Sequence, residues 1–276
     1  MASDTENLLS EAGFSRFAGA LSKLTRPALR FYSAKVPEEE IALGCSKLGG
    51  RPDLPGRFDW PVWKNKALHF LGQVNLKDIE PFGPAELLPK QGILYFFYDS
   101  EEQPWGFAPE HLGSWRVLFL EDCSLPLERR NFPRSLDKDY CLYPCKLDFE
   151  EFLTLPPSLS PEIEELGLTE DEEAKYEDFL RSYWGGICHQ MLGHRAELQG
   201  DMRFECQFAS NGVYCGDGDY LEDPRVEQLA ADYDRWVLLL QLDSDGKPGM
   251  MWGDCGRLYF WIRREDLADR RFDRTW

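Results

Sequence analysis

Two stretches of this chain carry the same pattern, a glutamine set in an apolar strand and then a Gly-x-Leu-Tyr-Phe-aromatic strand. One runs from Phe70-Leu71-Gly72-Gln73 to Gly92-Ile93-Leu94-Tyr95-Phe96-Phe97. The other runs from Leu239-Leu240-Gln241 to Gly256-Arg257-Leu258-Tyr259-Phe260-Trp261. An amide buried in an apolar strand must find partners for its oxygen and its NH2 group. The repeat therefore predicts a structural amide at Gln73 and Gln241 that pins a neighbouring loop; the competing reading has both face a shared groove. It also predicts an α+β, β-rich fold: a single unit of two pseudo-repeated antiparallel β modules, residues 43–120 and 184–276, with peripheral helices. A pseudo-twofold axis between such modules would leave a cleft at their junction, where ligand sites are favoured.

Around these modules the elements follow from local signals. Ser3-Asp4-Thr5-Glu6 reads as a capping box that starts a helix through Leu8, Leu9 and Ala12, with Gly13 as a stop. Phe14, Phe17, Ala18 and Leu21 continue it before Pro27, and a short strand spans 28–32. Between Lys47 and Trp63, repeated Pro and Gly forbid a regular element, while Phe58, Trp60 and Trp63 demand burial, so the segment reads as a packed loop. Strands are expected over 68–76, 92–98 (apolar enough to be buried on both faces) and 115–120. Residues 121–157 read as irregular, with a weak strand near 140–143. Helices are expected after Ser160-Pro161, after the Thr169–Glu172 capping box to about Tyr183, and from Asp223-Pro224 through Ala231. Strands at 236–242 and 256–262 flank a turn at Asp243-Ser244-Asp245-Gly246, and a short helix over 264–270 closes the chain.

Charge and composition exclude several classes. With 49 acidic against 31 basic residues the net charge is −18, a poor match to nucleic acid, whose binding depends on neutralised phosphates. A basic protein partner would be attracted by such a field. The chain lacks an apolar run of membrane-spanning length and a basic, apolar leader at Met1–Glu6. Eight cysteines spread over 276 residues then read as reduced thiols, and the cytoplasm is the expected location.

Several segments together resemble the YwqG-like family, a domain of unknown function. They are Lys47-Leu48-Gly49-Gly50-Arg51-Pro52 with Trp60-Pro61, Leu71 to Leu76, His194, Gln199-Gly200-Asp201-Met202, Trp236 with Gln241, and the most specific piece, Met251 to Ile262. The resemblance covers roughly Leu43 to the C-terminus and is weak over 120–181. It implies a β-rich α+β fold with internal duplication, and no activity or catalytic residue.

Tested against the residues, most chemistries lack a complete set. A Gly-x-Ser-x-Gly elbow, a phosphate loop and a dinucleotide fingerprint are all missing. Cys188-His189 are sequence neighbours, which point apart in a regular element. Cys141-x3-Cys145 is at most half a zinc site, and His189 with His194 could share a metal only on a loop. Asp217-Gly218-Asp219 and Asp243–Gly246 lack calcium-loop spacing. No cofactor and no metal are expected. Trp252-Gly253-Asp254-Cys255-Gly256 ranks first for function, because Trp beside Asp suits stacking with hydrogen bonding. Its structural alternative is that Trp252 caps the core while Asp254 holds the turn. Trp60-Pro61-Val62-Trp63 is the counterpart loop. The leading expectation is a non-catalytic binding protein offering a cleft or acidic surface to a basic protein or small-molecule ligand, with neither nucleic acid nor membrane. Its candidate binding residues are Trp252, Asp254, Gln73, Gln241, Trp60, Trp63, His194 and Asp201. The alternative is a carbohydrate-type hydrolase using Asp254 and Asp201 with His194.

Overall fold

The computed structural model describes residues 2–56, 58–198 and 200–276, with the backbone alone for Ala2 and Ser3. The Ser3 cap and the Gln199 of the family motif lie outside the described residues. In chain order the strands are β1 (Arg26–Lys35), β2 (Lys47–Leu48), β3 (Asp53–Pro55), β4 (Val62–Trp63), β5 (Lys66–Ala67), β6 (His69–Asn75) and β7 (Ile93–Tyr98). They continue as β8 (Trp115–Leu120), β9 (Leu127–Arg129), β10 (Cys145–Thr154), β11 (His189–Met191), β12 (Trp236–Asp243) and β13 (Arg257–Arg263). Nine of these form one sheet in the order β13-β12-β11-β1-β10-β2-β6-β7-β8, antiparallel at every pairing. The protein is thus β-rich, with a large curled antiparallel sheet and several helices.

The curl brings the two ends of the sheet together. Phe96 on β7 meets Phe260 on β13 with ring centroids 5.3 Å apart, and Phe119 on β8 meets Phe272 at 5.1 Å. The C-terminal tail bridges the ends: Trp276 exchanges two backbone hydrogen bonds with Trp261 of β13, and its ring lies 5.0 Å from that of Trp115 on β8. Strand β7 is buried along its whole length. Leu94, Phe96 and Tyr98 join the main core, and Ile93, Tyr95 and Phe97 join a smaller core under β3 and Trp60, as the period of two requires. A third cluster packs Leu9, Phe14, Phe17 and Leu21 against Tyr176, Leu180 and Trp184 of the helix Glu170–Trp184. That helix begins at the expected Thr169–Glu172 capping box.

Three expectations are corrected. The region taken as irregular holds β10, a ten-residue strand near the centre of the sheet, paired along its full length with β1. Its sequence alternates Leu147 and Phe149 with Asp148 and Glu150, so the acidic residues occupy its more exposed face. Strand β1 is itself twice the expected length, since each strand extends the other. The Pro/Gly-rich stretch contains β2, β3 and part of a hairpin; Pro52 and Pro61 fall beside these short pairings, and Pro55 ends β3 opposite Leu127. Its glycines are needed: Gly49 has φ +61°, and a Cβ there would lie 2.2 Å from the Tyr143 carbonyl oxygen. The short strand β11 and the helix Met202–Ala209 complete the fold without having been anticipated.

Under β6 lies a buried ionic cluster. Lys47 Nζ sits 3.1 Å from Asp53 Oδ1 with both side chains fully buried, and Arg129 Nε donates to the same oxygen at 2.8 Å. Removing one partner of a buried ion pair leaves an uncompensated charge. Lys47→Met should therefore lower stability by about 3–5 kcal/mol, seen as a lower urea midpoint with an unchanged m-value. A loss under about 1 kcal/mol would mean that Arg129 alone neutralises Asp53.

Candidate ligand-binding cavity

Helix, strand, loop and tail contribute to one cavity of about 550 Å³. Asp201 caps the helix Met202–Ala209 by accepting from the Arg203 N–H. Helical spacing then sets Met202, Glu205 and Cys206 on one face, which lines the cavity. Strand β13 adds Arg257, Tyr259 and Trp261; the loop before it adds Trp252 and Asp254. From the other end of the sheet come Tyr98, Trp105, Phe107 and Trp115, and Trp276 closes the wall from the tail.

Most of the aromatic walls have their polar atoms already bonded elsewhere. Trp115 Nε1–H donates to the Thr275 carbonyl at 2.9 Å and Trp276 Nε1–H to that of Gly106 at 2.7 Å. The Tyr98 and Tyr259 hydroxyls donate to the carbonyls of Pro104 and Ala196. Burial pushes both phenols upward from their ordinary pKa, so they stay neutral. Two indole N–H groups, of Trp252 and Trp261, have no partner among the described residues, although the residues are only 6% and 4% exposed.

The Trp252 loop is a clasped turn. The Gln103 amide accepts from the Gly253 N–H at 2.9 Å and donates to the Met251 carbonyl at 3.0 Å, and Gly256 N–H closes onto the Trp252 carbonyl at 2.7 Å. Gly253 and Cys255 both take left-handed backbone conformations, with φ +53° and +59°. The turn is therefore held by Gln103 and by its own backbone. Asp254 is exposed, and among the described residues its carboxylate makes no ion pair or hydrogen bond. Trp252 packs edge-on against Tyr98, 5.8 Å between centroids, as part of the core.

Charge on the walls is acidic. Arg257 is committed: its Nε lies 3.0 Å from Asp243 Oδ2 and its Nη1 donates to the Ala196 carbonyl. Glu205 has no counter-ion among the described residues. Glu205 is exposed, yet partial desolvation, with Asp201 nearby, pushes its carboxyl above the ordinary range. Burial likewise pushes the Cys206 thiol well up, which leaves it inert as a nucleophile.

Of the residues singled out from sequence, Trp252 and Asp254 line this cavity and the others do not. Gln73 donates to the Cys45 carbonyl and accepts from the Asp53 N–H. Gln241 donates to the Cys188 carbonyl and accepts from the Ala196 N–H. Both amides are fully buried and pin loops. Trp60 donates to the Leu68 carbonyl and packs on Phe97, and the Trp63 ring carries the Lys64 ammonium at 3.8 Å; both belong to the smaller core. Asp201 is tied to Arg203 and Arg195. His194 is buried, with Nε2–H donating to the Leu24 carbonyl at 2.7 Å. The trio Asp254, Asp201 and His194 is not gathered at one pocket. Among the described residues no group of three or more His, Cys, Asp or Glu side chains is placed to hold a metal ion. Trp105, Phe107, Glu205 and Trp276 were not foreseen; the run Pro104-Trp105-Gly106-Phe107, aromatics in a loop with little to bury them, was the available signal.

His194 makes one property pH-dependent. Burial, reinforced by Arg26, lowers its pKa to about 3, whereas the unfolded imidazole titrates near 6.5. The unfolded chain then binds the extra proton first, so stability is intact above about pH 6.5 and falls as pH drops toward 3. His194→Gln keeps a donor for Leu24 and removes that proton. Between pH 6.5 and 4, unfolding free energy should fall by roughly 3 kcal/mol more in the parent than in the variant. Parallel curves would show that His194 is not the group responsible.

None of the curated proteins matches this chain. Residues 46–276 match a family described as Domain of unknown function (DUF1963), which spans β2 to the C-terminal tail and includes every wall of the cavity. The chain belongs to this family.

Proposed function

We propose that this is a non-catalytic binding protein that holds a small-molecule ligand in the aromatic cavity, on a body of two duplicated β modules. The observation that carries the reading is the cavity itself. Its volume suits a small molecule, its rings have few polar atoms to spare, and none of the four histidines lines it. Duplication is supported by matching detail. Strands β6 and β12 each slip register immediately before the glutamine, at Phe70/Gly72 and Leu238/Leu240. Gln73 and Gln241 bond their loops at corresponding offsets, and Tyr95 and Tyr259 donate to the carbonyls of the same loop residues, Asp53 and Ala196. The Met251–Ile262 motif is the ground for grouping the chain with YwqG-like proteins. Eight unpaired cysteines suit a reducing cytoplasm, and among the described residues no helix is long and apolar enough to cross a membrane.

The test is native mass spectrometry of the intact protein after incubation with a cell metabolite extract, beside Trp105→Ala and Asp254→Ala. Trp105 is 68% exposed, so its truncation spares the core. A small molecule held by the parent and lost from both variants is the expected result. Equal recovery from all three, or capture of a basic protein alone, would overturn the cavity as the site. A carbohydrate-type hydrolase keeps one supporting observation, the raised carboxyl of Glu205 in the same cavity as Asp254. Turnover of aryl glycosides that is lost in Glu205→Gln would favour it.

A further inference from the structure

We infer that the cavity selects an organic cation, an ammonium group on a compact body that also carries one acceptor oxygen; this rests on the binding reading above. The walls divide their chemistry unevenly. Rings of Trp105, Phe107, Trp252, Tyr259 and Trp261 line it, and the negative quadrupole of an aromatic face attracts a cation over neutral groups. The charged groups at the cavity are Glu205, Asp254 and Arg257. The guanidinium is paired with Asp243, and both carboxylates are without a cation among the described residues. Arg195, behind the Trp261 ring at 5.9 Å, is matched by Glu197 and Asp201. The site therefore presents uncompensated negative charge against aromatic faces, and the chain's charge of −18 reinforces the sign at long range.

An anionic ligand would face Glu205 and Asp254 with no free cation among the described residues of the walls to answer it. A purely apolar ligand would bury the Glu205 carboxylate further without pairing it. A cation near Glu205 relieves that desolvation and gains the ring faces together. The acceptor oxygen follows from the two indole N–H groups of Trp252 and Trp261, buried donors of the walls with no partner among the described residues. A hydroxyl or carbonyl oxygen reached by either would satisfy it.

Four probes separate these elements: choline, propyltrimethylammonium, Nα-acetyl-lysine methylamide and 3,3-dimethylbutanol, the neutral isostere of choline. Each is titrated into the full chain while tryptophan fluorescence and the indole N–H signals are followed. The cations should perturb Trp252 and Trp261 at roughly tenfold lower concentration than dimethylbutanol, with choline ahead of propyltrimethylammonium. Glu205→Gln, checked for unchanged unfolding, should erase the difference between cation and isostere. Preference for the lysine amide over choline would assign the cation to a protein side chain; the reverse would assign it to a free amino alcohol. If dimethylbutanol saturates at the same concentration as the cations, the cation inference falls and the cavity reading stands. If no probe moves the cavity indoles, both fall.

Discussion

A primary amide in the middle of a buried strand is the constraint on which this fold turns. Gln73 and Gln241 lie where apolar side chains would otherwise pack, and an unsatisfied amide there would cost about 1–3 kcal/mol for each group left unpaired. Each is satisfied in the same way, by a carbonyl on one side of an adjacent two- or three-residue strand and an N–H beyond it. Short strands such as β2 and β11 bring few ladder hydrogen bonds of their own. The amides hold them in register, and they carry the sheet from β6 and β12 inward to β10 and β1.

With the centre fixed, the ends of the sheet determine the surface. Antiparallel sheets leave two edges, and exposed edges invite pairing with other chains. Here the last residues of the chain answer the β13 edge, as Trp276 bonds the backbone of Trp261 and its indole reaches Gly106. That closure draws indoles from distant parts of the sequence, Trp115, Trp252, Trp261 and Trp276, around one space. The cavity is thus a consequence of how the sheet is closed; closure engages the indole N–H groups of Trp115 and Trp276 and leaves those of Trp252 and Trp261 buried beside the space.

Much of this was legible in the sequence, where local chemistry dictates structure. The strand Gly92–Tyr98 has apolar residues on both faces and lies between two cores; the Thr169 capping box starts its helix; Trp236 to Ile262 forms the expected hairpin. Strand β10 was not legible as a strand, since four of its ten residues are charged and its partner β1 lies far away in sequence. Tertiary pairing overrode weak intrinsic preference there. For the site, Trp252 and Asp254 were found because a Gly-flanked Trp-Asp pair is a local signal. Glu205 and Trp276 could not be found that way. Their roles depend on a helix face and a chain end meeting across the closed sheet, and neither position has a pattern of its own.

Elsewhere the chain compensates its less exposed charges. Asp53 has Lys47 and Arg129, Asp201 has Arg203, and Asp245 accepts from Ser33 and faces His189. The two carboxylates at the cavity, Glu205 and Asp254, are exposed and have no counter-ion among the described residues. Beside them Cys255 holds a left-handed backbone that suits glycine better, and Trp105 leaves two thirds of its surface in water. Each feature alone is a modest cost that a folding sequence tolerates anywhere. Positive φ recurs away from the cavity, at Lys64, Asn65 and Leu192, so what distinguishes this region is placement: the closed sheet brings the Trp105 loop, the Trp252 loop and the helix Met202–Ala209 to one space.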